Sequence, residues 1–271
     1  MYLIWLRVAL VLYGVSSIAV IPDVFSGRNR WRKLVLPACV AAVFFHFVAL
    51  AEMLNLAHHW VPASLHEVET SLALVLAIAF LAIYWRYRAI SLGLFALPLV
   101  FLLLLLPAAG PDHAPLSGEW MRSGWIVVHI TLLLVAYAAL IFSLIASFLY
   151  LIQERRLKQK KVGGIFGHLP PLETIDQIAF KMLIIGFPCM TAGLLAGALI
   201  AQESVGAGYF VDPKVLLSVG MWLLYVWMLY VRNHSGLRGK RAVYLSSLVF
   251  LVALTVWAAN QFSTVHRFAA P

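Results

Sequence analysis

"GWIVVHITLLLVAYAAL", residues 124–140, reads as the opening of a membrane-crossing helix that carries a histidine, His129, about a turn and a half inside the run. Hydrocarbon offers no water to backbone N–H and C=O groups, so an apolar run of this kind has to close its own hydrogen bonds as a helix. The imidazole is the anomaly. It gives up hydrogen bonds to water and therefore needs either a partner or a function.

The rest of the chain repeats the pattern. Of 271 residues, 63% are hydrophobic and only 11% are charged, too little polar surface for a soluble domain of this size. Runs long enough to cross a bilayer fall at about 3–21, 34–52, 69–85, 90–107, 124–152, 177–201, 214–231 and 243–262. The expected fold is all-α: one integral membrane domain over 1–271, an eight-helix bundle.

The net charge of +9 does not indicate nucleic acid, because it is sorted by loop. Arg28, Arg30, Arg32 and Lys33 follow the first span; Arg86 and Arg88 follow the third. Arg155, Arg156, Lys158, Lys160 and Lys161 follow the fifth, and Arg232, Arg238, Lys240 and Arg241 the seventh. The alternate connections are poor in basic residues, so the positive-inside rule turns the basic loops to the cytoplasm and both termini outward.

The first span lacks a basic leader region and an A-x-A-like cleavage site, and is expected to be retained. The longest polar stretch, 154–176, with "KQKKVGG" and "LPPLE", reads as a cytoplasmic connector. No internal repeat suggests an inverted-repeat transporter. Ala139, Ser143 and Ser147, and again Gly193, Gly197 and Ala201, recur every four residues and read as close-packing stripes. Cys39 and Cys189 lie in separate apolar spans, outside any haem-attachment or zinc pattern, and read as inert thiols.

The nine histidines are sorted by depth. His129 and His266 lie near the outer ends of the fifth and eighth spans, whereas His46 is deep in the second. His234 is at the cytoplasmic end of the seventh and His168 is in the basic loop; His58, His59, His66 and His113 are on outward connections. Neutral imidazole binds haem iron, and two such ligands must face each other at one depth, a condition met by His129 and His266. A structural hydrogen bond is the rival account of each intramembrane histidine. Arg7, Arg122 and Arg267 are placed to meet carboxylates, or simply to snorkel and be solvated. In "AQESVGAGYFVDPKVLLSVGMW", residues 201–222, Pro213 suits the first turn of a helix. Tyr209 and Phe210 there form either an interfacial aromatic belt or a stacking platform for a flat ligand.

The segments "VVHITLLLVAYAAL", "VGAGYFVDPK", "NHSGLRGKRAVYL" and "FHFVALAEM", with a histidine after the last span, resemble the cytochrome c assembly (CcsA/CcmC) superfamily of haem-handling membrane proteins. The resemblance is to its YpjD/HemX-like branch and covers nearly the whole chain. It implies that His129 and His266 are the two outward iron ligands and that His46 and His234 are membrane histidines. Gly206, Asp212, Pro213, Lys214 and Trp222 would frame the haem loop. Where the better-studied members have three tryptophans, this chain has Val205, Tyr209 and Val211.

The combined expectation is a multi-pass protein of the bacterial inner membrane that holds non-covalent haem b near the outer face. His129 and His266 would be axial, Tyr209 and Phe210 would pack on the porphyrin, and Arg122 or Arg267 would pair with propionates. Its partners would be haem, lipid and other cytochrome c assembly or haem-pathway proteins, with no nucleic acid. No nucleophile–base pair, zinc signature or phosphate loop suggests an enzyme. Two other expectations stay open: a HemX-like regulatory or scaffolding protein of tetrapyrrole metabolism, and a b-type cytochrome relaying electrons. The relay would need a partner for His46 at matching depth.

Overall fold

Every apolar run forms a helix in the computed structural model, which describes residues 1–26, 31–58, 61–110, 124–160, 169–204, 209, 211–236 and 239–259. The helices are α1 (Tyr2–Ser26), α2 (Arg32–Leu56), α3 (Leu65–Tyr87), α4 (Gly93–Ala109), α5 (Gly124–Lys158), α6 (Leu172–Ser204), α7 (Pro213–His234) and α8 (Lys240–Ala258). A single 3-10 turn, Ile90–Leu92, leads into α4. Among the described residues eight helices are long and apolar enough to cross a membrane, and the protein is an all-α multi-pass membrane protein.

Several helix ends run past the apolar runs read from sequence. The stretch 154–176 is not all connector: α5 runs on to Lys158 and α6 begins at Leu172. At 35 residues α5 is about 52 Å long, well beyond the roughly 30 Å of hydrocarbon, so its charged end stands in water. Glu154 and Lys158, paired at 2.6 Å one turn apart, support that end. The eighth helix starts at Lys240, earlier than the apolar run suggests, because a water-exposed first turn needs no apolar residues.

Consecutive helices run antiparallel and create two rims. One is basic. There Asp23 at the end of α1, its carboxylate fully buried, accepts from the Arg32 backbone N–H (2.9 Å) and pairs with its guanidinium (3.3 Å). Arg232 of α7 likewise pairs with Asp176 of α6 at 2.8 Å and lies over the Phe180 ring. Arg32 and Arg232 are therefore helix ties as well as topological charges. At the other rim the Met1 ammonium lies 3.6 Å from Glu52, and Arg7 Nε donates to the Ala108 carbonyl at the end of α4. Hereafter this is the Met1 rim.

The interior forms two main clusters. The first joins α1–α4 to one side of α5 and the start of α6, through Tyr13, Phe80, Leu97, Phe142 and Leu149. The second joins the other side of α5 to α6, α7 and α8 through Leu140, Met190, Tyr225 and Val256. Small residues set the α5–α6 distance, since lipid supplies no hydrophobic drive between helices. A Cβ at Gly186 would lie 3.1 Å from the Ala139 Cβ, and one at Gly193 would lie 3.0 Å from Leu133 Cδ2. Outward faces are lipid-like, with Phe44, Leu102 and Leu251 exposed. Trp125 and Trp257 stand toward the Met1 rim and Trp31, Trp85 and Tyr244 toward the basic rim, as interfacial aromatic belts do.

Candidate functional site

His129 enters α5 from the Met1 rim and turns toward α6. Its Nδ1 donates to the Gly193 carbonyl at 2.7 Å. A carbonyl only accepts, so in the neutral ring the proton sits on Nδ1 and the lone pair on Nε2. Nε2 has no hydrogen-bond partner among the described residues. The ring lies directly on Gly197: a Cβ there would come within 2.5 Å of both Cε1 and Nδ1. Gly193 orients the imidazole and Gly197 makes room for it. The small-residue stripe on α6 is thus more than packing, which corrects the reading made from its spacing.

The neighbouring side chains are apolar. The α2–α3 connection lays Val61 and Ala63 against Ile126 of α5, with Val127, Ile130 and Ile200 around them. That connection is pinned by Glu67, which accepts from the N–H groups of Ala63 (2.7 Å) and Ser64 (3.3 Å), while Ser64 Oγ accepts from the Glu67 N–H in a capping box.

Asp212, Pro213 and Lys214 build the start of α7 on the same rim. Asp212 is the N-cap, its carboxylate accepting from the Lys214 N–H at 2.9 Å, and Pro213 occupies the first turn. Asp212 is only 3% exposed. It caps α7 and also faces the Lys214 ammonium. Tyr209 is buried rather than presented as an open stacking surface, and its carbonyl accepts from the Asp212 N–H at 3.1 Å. Burial, and then the Asp212 charge, push its phenol above the ordinary tyrosine value, so it stays a neutral phenol.

Trp222 is engaged between helices. Its indole Nε1 donates to Thr191 Oγ1 at 2.9 Å and its ring stacks on Phe187 at 6.0 Å, so it ties α7 to α6. Thr191, which accepts that bond, gave no signal in the sequence.

The structure does not bring His46 and His234 to this site. His46 is completely buried among α1–α3, its Nδ1 hydrogen-bonded to the Tyr13 hydroxyl at 3.3 Å. Its other neighbour is the Thr70 main chain, an electrostatic contact without regular hydrogen-bond geometry at Nε2. The ring is enclosed, and a macrocycle has no space beside it. His234 is at the opposite, basic rim, stacked on Tyr230 at 4.2 Å with Nδ1 donating to the Tyr230 carbonyl. There it borders a shallow groove of about 360 Å³ between α6 and α7, lined by Phe180, Phe187 and Leu229 among others. No group of three or more His, Cys, Asp or Glu able to hold a metal occurs among the described residues. His266, Phe210, Arg122 and Arg267 lie outside the described residues.

The family described as Cytochrome C assembly protein matches residues 31–259, and the chain belongs to that family. Protein HemX of Bacillus subtilis (strain 168) is 33% identical over 159 residues, 58% of this chain and 57% of HemX. The cytochrome c biogenesis protein CcsA of Porphyra purpurea is 27% identical over a 278-residue alignment covering 84% of this chain and 86% of that protein. CcsA of Guillardia theta is 28% identical over 211 residues, 70% of this chain and 69% of its own length. No solved structure matches the chain.

Proposed function

We propose that this protein handles haem at the outer face of the bacterial inner membrane, in the service of cytochrome c assembly, and catalyses no reaction of its own. The Met1 rim is the outer one, with both termini outside. The observation that carries the reading is His129: Nδ1 clamped by a backbone carbonyl, Nε2 left with a free lone pair in apolar surroundings. A histidine that holds a metal typically donates its other ring N–H to a carbonyl or carboxylate, which fixes tautomer and orientation. The donor set fits non-covalent haem b, for which neutral imidazole is a standard axial ligand. Bound haem would supply iron ligation and redox chemistry. This chain's residues would hold and orient it: His129 as one ligand, His266 as the second, Val61, Ile126 and Ile130 as the apolar wall. Phe210 would complete the contacts to the ring. Haem-pathway and cytochrome c assembly proteins are the partners that family membership supports.

The test is the absorption spectrum, with pyridine extraction, of protein purified in mild detergent from haem-replete cells. Wild type is expected to carry b-type haem and His129→Ala to be nearly devoid of it. Equal haem in both would remove His129 as a ligand, and a colourless wild type would favour the regulatory or scaffolding reading.

A further inference from the structure

The antiparallel register of α6 and α7 is fixed by three contacts: Asp176 with Arg232, Leu183 with Tyr225, and Thr191 with Trp222. Carried two turns further toward the Met1 rim, that register sets Lys214 level with Gly197, the residue on which the His129 ring lies. The ammonium is near enough to His129 for its charge to act on the imidazole. Lys214 is partly buried, and among the described residues it makes no hydrogen bond or ion pair through Nζ. Asp212, the acid facing it, already spends one carboxylate oxygen on the Lys214 backbone N–H.

A half-buried ammonium beside an imidazole with an open lone pair makes a two-point receptor. One point donates electrons to a metal; the other attracts an anion. Neither an apolar ligand nor a free anion satisfies both. A metal chelate bearing a carboxylate does, and it regains in charge-assisted hydrogen bonding what the ammonium loses by leaving water.

We propose that Lys214 is the carboxylate-recognising residue of the site, pairing with a propionate of an iron porphyrin held by His129. This rests on the reading of His129 as an iron ligand. It assigns to Lys214 the part that sequence reasoning gave to Arg122 or Arg267, and it makes the free acid the recognised form of the ligand.

The test is a spectroscopic titration of the purified full-length protein, depleted of haem, with haemin and separately with haemin dimethyl ester, whose carboxylates are masked. Wild type is expected to bind the diacid about tenfold more tightly than the diester, the size of one charged hydrogen bond. Lys214→Gln should bring that ratio close to one, and Lys214→Arg should keep it. An unchanged ratio in Lys214→Gln, with His129→Ala still unable to bind either ligand, would overturn the assignment of Lys214 and leave His129 standing. Binding of both ligands by His129→Ala as by wild type would overturn the reading beneath it, and the proposal with it.

Discussion

His46 and His129 are both imidazoles inside apolar helices, and the two halves of the bundle treat them in opposite ways. Around His46, α1–α3 close completely; the ring meets the Tyr13 hydroxyl and the Thr70 main chain, with no space left. Around His129, two glycines of α6 open a slot, a carbonyl takes one nitrogen, and the other is left free. A histidine answered by a side-chain hydroxyl in a sealed core is a packing element. One answered by a backbone carbonyl at a rim is prepared for a further bond. The residue type is the same; the neighbours decide.

The comparison breaks most readily at Gly197. Gly197→Ala should drive a methyl into the His129 ring and cost as much haem as a lost orienting contact, about tenfold or more, with helix content by circular dichroism unchanged. Gly193→Ala should do less, because its Cβ would meet the end of Leu133, which can yield. If the alanine at 197 is silent in the pyridine assay, the slot does not matter to His129. The opposite behaviour is expected in the other half. Tyr13→Phe leaves the buried His46 nitrogen without its partner, at a cost of about 1–3 kcal/mol, read as a lower thermal midpoint in detergent. Haem content should stay at the wild-type level; a parallel loss of haem would mean the two histidines act together.

Smaller effects sharpen the Met1 rim. Asp212→Ala removes the cap of α7 and should lower stability by about 1 kcal/mol, whereas Asp212→Asn, which caps as well, should be nearly neutral. The smallest effect belongs to the Trp222–Thr191 pair. A double-mutant cycle of Trp222→Phe and Thr191→Val should return a coupling of about 0.6 kcal/mol, typical of hydrogen bonds between membrane helices. A coupling near zero would mean that the Phe187 stack alone holds the indole.

Much of the fold was legible because lipid is a demanding solvent. Apolar runs had to be helices, and Arg86, Arg155 and Lys240 marked one rim by charge alone. Helix ends were less legible, since α5 and α6 extend into water where charged residues such as Glu154 and Glu173 are no obstacle to a helix. The site divides in the same way. His129 stood out by its type and depth, and Asp212–Pro213 announced a helix start. That Asp212 and Trp222 serve helix capping and helix ties depends on neighbours their spacing does not reveal.

By itself the sequence determined the solvent, the number of the helices, and which histidines lie within reach of lipid, because hydropathy and helical rise are properties of one segment at a time. Only the tertiary structure decided which imidazole keeps an open nitrogen, that Gly193 and Gly197 hold it, and that Lys214 lies level with it. Those facts are set by the register and separation of α5, α6 and α7. Packing between helices fixes both, through small residues whose partners lie some sixty positions away in the chain, as Gly193 does from His129.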